Sequence, residues 1–346
     1  MKTNALIIYG GGLADPAKDT MLRIARNLWE LNVYDGILLG AYSFMSLYDQ
    51  MLWEDYVYGE TERTYKNYRG TVFGTCRGID MTDPQLMKKA IETLRKYEIQ
   101  TVIVCGGDGS SRNCAEISEE FEKNGINIIF AVPMTVDGIN GGLSIGIDQA
   151  VREAVRQIEN IVATSLETKD NGEYSVVAVE LQGRNRDDIL AKVLQHFWRQ
   201  CYIADCDFSD IMLRVVPANY ESNQEELLKE INTSKQRTLI LVSEGAKLKV
   251  TELQNYTQRK VRTVIVGHAV QSNGQTTEAD MEKYSEWLAD IAALICEAPF
   301  NSYCIVNDGI SRWREPIDYY AKLNPRKAQK AELSKGLEEL IKDYMV

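Results

Sequence analysis

The strand-like run Thr101 to Cys105 leads straight into Gly106-Gly107-Asp108-Gly109-Ser110, and the residues that follow have helical spacing. Three glycines in five residues clear side chains away from the backbone N–H groups, and a helix N-terminus adds positive potential, so the turn is built to receive phosphate oxygens. Asp108 stands where a carboxylate can hold Mg²⁺ against those phosphates. A tight strand-to-helix turn with an N-capping serine would explain part of the same pattern. A second run, Gly10-Gly11-Gly12, also leaves a strand and precedes a helix. It offers a second backbone surface to the same ligand, and as a lone motif it reads equally well as a flexible turn. Arg77 closes the stretch Gly70-Thr71-Val72-Phe73-Gly74-Thr75-Cys76. Its planar guanidinium would match a transferring phosphoryl group, the ordinary alternative being a surface ion pair.

These turns need strands behind them and helices beyond them. Apolar runs at Ala5 to Tyr9, Gly36 to Leu39, Thr101 to Cys105 and Ile126 to Val132 predict strands, interleaved with helices over Lys18 to Leu31, Asp83 to Tyr97 and Ser111 to Lys123. The alternation predicts parallel βαβ units. A second series follows a helix near Ile147 to Thr164, with strands at Tyr174 to Leu181, Ile211 to Val215, Thr238 to Val242 and Arg262 to Val266. Two α/β lobes are expected, and the Lys-rich segment Asn324 to Lys342 reads as a solvated terminal helix.

Composition narrows the function classes. The 346 residues are 45% hydrophobic with seven prolines, which leaves no room for a large disordered segment. The N-terminal apolar run is too short for a signal-peptide core and no window has the length to cross a bilayer, so no membrane association and a cytoplasmic location are expected. Seven scattered cysteines without a Cys-x-x-Cys pair, and two histidines, His196 and His268, argue against a disulfide framework or a zinc site. A net charge of −11 opposes nucleic acid as a partner, so an anionic small molecule would need a local cluster of arginines.

Joined to Pro133-Met134-Thr135-Val136-Asp137, Glu180-Leu181-Gln182-Gly183-Arg184, Ser243-Glu244-Gly245 and Arg262 through His268, the three stretches above make the chain resemble 6-phosphofructokinases from end to end, in order and in spacing. The resemblance implies an α/β fold of two Rossmann-like three-layer lobes with the active site in the cleft. The nucleotide-binding lobe is expected over 1–147 plus about 275–312, and the acceptor-binding lobe over 148–274 plus a C-terminal helix, about 313–346. It implies ATP and Mg²⁺, a sugar phosphate acceptor, and a homo-oligomer, dimer or tetramer, in which neighbouring subunits lend arginines to the acceptor site. By the same resemblance Asp137 is the catalytic base, Thr135 lies beside the acceptor hydroxyl, Asp108 holds Mg-nucleotide, and Arg77 and Arg184 stabilise developing charge. A carboxylate in reach of the hydroxyl can take its proton as it attacks the γ-phosphorus, although Pro133 through Gly138 taken alone would read as a capped turn. Gly11, Gly12, Gly106, Gly107, Gly109 and Ser110 fall to the nucleotide, and Gln182, Gly183, Glu244, Arg262, His268 and Gln271 to the acceptor. Without the family spacing, His268 would read as a core histidine and Arg262 as a strand-end surface charge.

Gly109 matches the ATP-type enzymes, whereas pyrophosphate-type members carry Asp there and Lys in the slot held here by Met134. Met134 also replaces the usual glycine of the ATP-type enzymes, and the chain departs from the family at further positions. Gly138 and Ile139 replace the Asn and second Asp of the catalytic loop. Gln271 replaces an arginine of the phosphate clamp, Glu173-Tyr174-Ser175 supply no counterpart to another, and Gln182 replaces a methionine. Each lost charge-assisted hydrogen bond costs roughly 1.5–3 kcal/mol, so fructose 6-phosphate is expected to bind about two to four orders of magnitude more weakly. Two other readings stay open: a kinase with a different, less charged acceptor, and a non-catalytic sensor of nucleotide or sugar phosphate. A NAD or lipid kinase would share the Gly-Gly-Asp-Gly turn but not the downstream motifs.

Overall fold

The computed structural model describes residues 3–11, 16–68, 72–76, 78–135, 139, 142–165, 175–183, 186–203, 211–219, 223–267, 276–323 and 335–345. The chain divides into two compact units, Met1–Gly146 with Gln275–Arg326, and Ile147–Gly274 with Lys327–Val346.

The first unit opens with β1 (Asn4–Gly10), buried from Ala5 onward, and α1 (Ala17–Glu30), which buries Met21, Ile24, Ala25 and Leu28. There follow β2 (Ile37–Gly40), β3 (Trp53–Asp55), α2 (Glu60–Tyr65), α3 (Pro84–Lys96), β4 (Ile99–Gly106), α4 (Asp108–Lys123) and β5 (Asn127–Pro133). The start of α3 is written locally. Asp83 accepts from the N–H groups of Gln85 and Leu86, and Pro84, which has no N–H to satisfy, takes the first helical position. The second unit comprises α5 (Ile147–Ser165), β6 (Val176–Leu181), α6 (Asp187–Ile203), β7 (Ile211–Val216), α7 (Gln224–Thr233), β8 (Arg237–Ser243) and β9 (Val261–Val266). The chain then returns to the first unit through α8 (Glu278–Glu297), β10 (Tyr303–Asn307), β11 (Arg312–Pro316) and α9 (Tyr319–Leu323), and ends in the second with α10 (Lys335–Tyr344).

The first sheet has the order β11-β10-β5-β4-β1-β2-β3 and is parallel except for its two edge pairs. The second, β7-β8-β6-β9, is wholly parallel. Alternate residues of each central strand enter different cores: Ala5, Ile7 and Tyr9 one, Leu6 and Ile8 another, and likewise Val177 and Val179 against Val176 and Ala178. Strands apolar on both faces are what a sheet covered by helices on both sides requires, and each unit is therefore three-layered. No helix among the described residues is long and apolar enough to cross a membrane.

Two expectations are corrected. Residues 313–326 belong to the first unit, because β11 pairs antiparallel with β10 along its whole length and Tyr320 buries beside Phe130 of β5. The terminal helix is not merely solvated. Its charges lie outward, with Lys342 on Glu338, but Ile341 is fully buried in the core that α5 and α6 share, and Tyr344 meets Trp198.

Candidate active site

In the first unit, the expected nucleotide residues meet at the carboxyl ends of three adjacent parallel strands. Gly10 of β1 pairs with Gly106 of β4, and Gly106 with Pro133 of β5. The sheet order runs outward in opposite directions from β1 and β4, so their connections leave to opposite sides and open a crevice at this point. The backbone continues the junction beyond the strands, since Met134 N–H donates to the Gly106 carbonyl at 2.7 Å.

The glycines here do different work. At Gly106 a Cβ would overlap the carbonyl oxygen of Gly10, so this glycine serves strand packing. Gly11 has φ +137°, a conformation that disfavours any side chain. A Cβ on Gly107 would lie 3.3 Å from Cβ of Thr135, which brings these two expected site residues together. At Gly109, the second residue of α4, a Cβ would meet nothing within 4 Å, so space lies open beside the first turn of that helix. Ser110 is buried, with its hydroxyl against the positions of Gly10 and Gly106.

Asp108 is the first residue of α4, half exposed, and both of its oxygens are held by Arg112 one turn on, with Nη2 2.7 Å from Oδ2 and Nε 3.1 Å from it. Burial raises the carboxyl above the ordinary aspartate range, and the guanidinium opposes that rise. Thr135 is fixed by Ser144, whose hydroxyl accepts from Thr135 N–H at 2.9 Å and donates to Thr135 O at 3.0 Å. Neither Arg112 nor Ser144 stands out in the sequence, because their roles depend on a helical repeat and on a parallel bridge between Met134 and Ile145.

Met134 and Ile139 are both buried, at 1% and 4% exposure. Where the family carries a second catalytic-loop aspartate, this chain therefore has a core residue packed in the cluster with Phe130, Val306 and Tyr320. A carboxylate at that position would be buried among apolar groups.

The second unit also gathers its expected residues at strand ends. Glu244, just past β8, accepts on Oε2 from Gln182 Nε2 at 2.8 Å and from Gly183 N–H at 3.0 Å, both just past β6. Gly183 has φ +117°, and a Cβ there would press on Ile189 of α6. Arg186 braces the same turn, donating to both oxygens of Asp188 at 2.8 Å. Arg262 is placed apart from this group. It pairs with Val177 near the start of β9, four residues before Val266, or about 13 Å from the carboxyl end at strand spacing. Gly12, Arg77, Asp137, Arg184, His268 and Gln271 lie outside the described residues. Among the described residues no group of three or more His, Cys, Asp or Glu could hold a metal ion.

A family model described as Phosphofructokinase matches residues 7–286. An ATP-dependent 6-phosphofructokinase of Actinobacillus pleuropneumoniae is 27% identical over 207 residues, 58% of this chain and 58% of that protein. One of Staphylococcus epidermidis is 29% identical over 216 residues, 61% of this chain and 62% of that protein. The chain thus spans less than two thirds of the length of these curated relatives. Phosphofructokinase from Saccharomyces cerevisiae superposes with a TM-score of 0.74 at 16% identity, over 99% of this chain and 48% of that one. The pyrophosphate-dependent phosphofructokinase from Marinobacter aquaeolei does so with a TM-score of 0.73 at 15% identity, over 100% and 92%. At those identities the structural likeness speaks for the fold alone.

Proposed function

The chain belongs to the phosphofructokinase family, and from that premise we propose that it is an ATP-dependent phosphotransferase that moves the γ-phosphoryl group of Mg-ATP to a sugar phosphate hydroxyl, with fructose 6-phosphate as the default acceptor. The observation that carries this reading is the meeting of Gly11, Gly107 and Thr135 at the ends of β1, β4 and β5, with open space at Gly109 in the first turn of α4. Backbone donors at a helix N-terminus bind phosphate oxygens without side chains, and Gly109 leaves room for the α-phosphate that an aspartate would repel. Two of the curated relatives are named as ATP-dependent enzymes, which agrees with that donor.

Asp108 fits a Mg²⁺ ligand, being a half-exposed hard oxygen donor beside that open space. Bound there, Mg²⁺ would neutralise phosphate charge. Arg112 orients the carboxylate beforehand. Thr135, pinned by Ser144, presents the start of the segment that carries Asp137, and Asp137 takes the proton of the attacking hydroxyl. Arg77 and Arg184 stabilise charge on the transferring group. Glu244, with Gln182 and Gly183, receives the acceptor, together with His268 and Gln271. The place of Arg262 near the start of β9, about 13 Å along the strand from its carboxyl end, supports a homo-oligomer in which that arginine serves a neighbouring copy, and β9 is an edge strand with Ile265 56% exposed. Use of ATP is consistent with a cytoplasmic place.

A kinase with a different, less charged acceptor is the second reading, favoured by the amide of Gln182 on Glu244 where the family has a methionine. The experiment is ADP release from ATP, or phosphate release from pyrophosphate, against a panel of sugars and sugar phosphates. Turnover with ATP and fructose 6-phosphate supports the proposal. Efficient use of pyrophosphate overturns the donor, and ATP binding without transfer to any acceptor overturns the enzyme.

A further inference from the structure

Asp187 begins α6 and is the only carboxylate among the described residues with no exposure at all. Among those residues it has no cationic partner. Its charge is held by three donors from two other strand ends: Oδ1 accepts from Ala218 N–H at 2.8 Å and from the Ser243 hydroxyl at 2.7 Å, and Oδ2 accepts from Asn219 N–H at 2.9 Å. Burying a carboxylate is costly unless its hydrogen bonds are complete, and here both oxygens have donors. The start of a helix accounts for a favourable place for negative charge, but not for a reach to β7 and β8.

What lies beyond the donors gives the carboxylate its purpose. Ser243 is the last residue of β8, and the next residue is Glu244, whose N–H donates to Leu181 O at 2.9 Å and whose Oε2 takes Gln182 and Gly183. Two carboxylates thus tie three adjacent strand ends together, Asp187 joining β7 to β8 and Glu244 joining β8 to β6. Gly245 follows at φ +94°, and the Ser243 hydroxyl on Asp187 anchors the turn that carries Glu244 on the side of β7, as the bonds to Leu181, Gln182 and Gly183 anchor it on the side of β6. We propose that Asp187 is a positioning residue for acceptor recognition, fixing the direction of Glu244 through Ser243 and holding the loop after β7, at Ala218 and Asn219, to the same anchor. This rests on Glu244 being an acceptor contact.

Asparagine keeps the shape of Asp187 but turns an N–H₂ group toward a donor, so Asp187→Asn should misplace the turn without emptying the site. The test compares Asp187→Asn, Ser243→Ala and Glu244→Gln with the unmodified protein. ATP and fructose 6-phosphate are varied in turn, and calorimetric affinity for fructose 6-phosphate is measured alongside. A contact made equally in ground and transition states appears in KM, so Asp187→Asn should raise KM and Kd for fructose 6-phosphate about tenfold and Ser243→Ala about threefold. The kcat and the KM for ATP should stay within about twofold, which a general loosening of the fold would not allow. If Asp187→Asn does not fold, Ser243→Ala decides alone. An unchanged KM in Glu244→Gln, or no binding of fructose 6-phosphate by the unmodified protein, removes the reading of Glu244 and this inference with it. A raised KM in Glu244→Gln beside unchanged values in folded Asp187→Asn and Ser243→Ala overturns the inference only, as does a fall in kcat that matches the rise in KM.

Discussion

The strand ends of the first unit and those of the second are alike in architecture and differ in material. Around Gly10, Gly106 and Pro133 the site is made from backbone: paired glycines, a helix start and a carbonyl-bound amide. Around Leu181, Val216 and Ser243 it is made from side chains, with Asp187 and Glu244 taking donors from three strands. A backbone site depends on close approach and on left-handed turns, so few residues other than glycine can occupy it and its sequence stays legible in a distant relative. A side-chain site can exchange one side chain for another, as with the Gln182 amide on Glu244 where the family resemblance expects a methionine, and its specificity can drift while the sheet beneath it persists.

If the first region is an intact phosphoryl-transfer site, removing its base has the largest effect. Asp137→Asn should lower kcat by roughly 10²- to 10⁴-fold and leave ATP affinity nearly unchanged, since a general base acts only as the hydroxyl attacks. Steady-state rates with calorimetric ATP binding measure both. A variant that kept more than about a tenth of the activity would break the comparison, because Asp137 would then not be the base of that site.

Gly109 sharpens it next. A Cβ there meets nothing, so Gly109→Asp tests charge rather than packing. A carboxylate about 5 Å from the α-phosphate opposes binding by roughly 3 kcal/mol at an effective dielectric of 20, and a rise of about a hundredfold in KM for ATP is expected. Unaltered ATP kinetics would mean that the nucleotide does not lie against the start of α4.

Legibility in the sequence followed the same division. β1, β4, β5, β6 and β8 were readable because strands buried on both faces need continuous apolar runs, and the ends of α1, α4 and α5 fell within a few residues of their expected places. β11 escaped because Arg312-Trp313-Arg314-Glu315-Pro316 alternates charge with partial burial at a sheet edge, and the boundary near residue 312 moved with it. The burial of Ile341 escaped because a single apolar stripe in a Lys-rich segment looks like a surface helix until α6 supplies its partner. At the site, the glycine turns could be read directly, yet packing at Gly106 and open space at Gly109 look identical as letters. Asp187 was invisible because its three partners lie 31, 32 and 56 residues away.

The acceptor side yields a smaller, gain-of-function expectation. Gln271 cannot supply the charge that an arginine brings to a sugar phosphate, so Gln271→Arg should lower KM for fructose 6-phosphate by about three- to tenfold with kcat little changed. Saturation kinetics with fructose 6-phosphate decide it. Micromolar KM in the unmodified protein, or no improvement in the variant, would show that the clamp is completed by other residues and that the second region has not drifted as argued.

The smallest expected effect tests whether the first region is backbone alone. Arg112 grips both oxygens of Asp108, the carboxylate proposed to hold Mg²⁺. Burial holds the Asp108 carboxyl above its ordinary range and Arg112 counters that rise, so Arg112→Gln leaves the raising influence unopposed. The carboxylate must be ionised to bind Mg²⁺. As pH falls from neutrality, protonation should therefore begin to cost Mg-ATP affinity at a higher pH in Arg112→Gln than in the unmodified protein. At neutral pH the loss of a competing cation should leave affinity equal or slightly higher. Calorimetric titrations of Mg-ATP across the acid range resolve the two curves. An inflection that stays in place, or moves downward, would mean that Asp108 does not hold the metal, and the first region would then bind nucleotide through its backbone without that carboxylate.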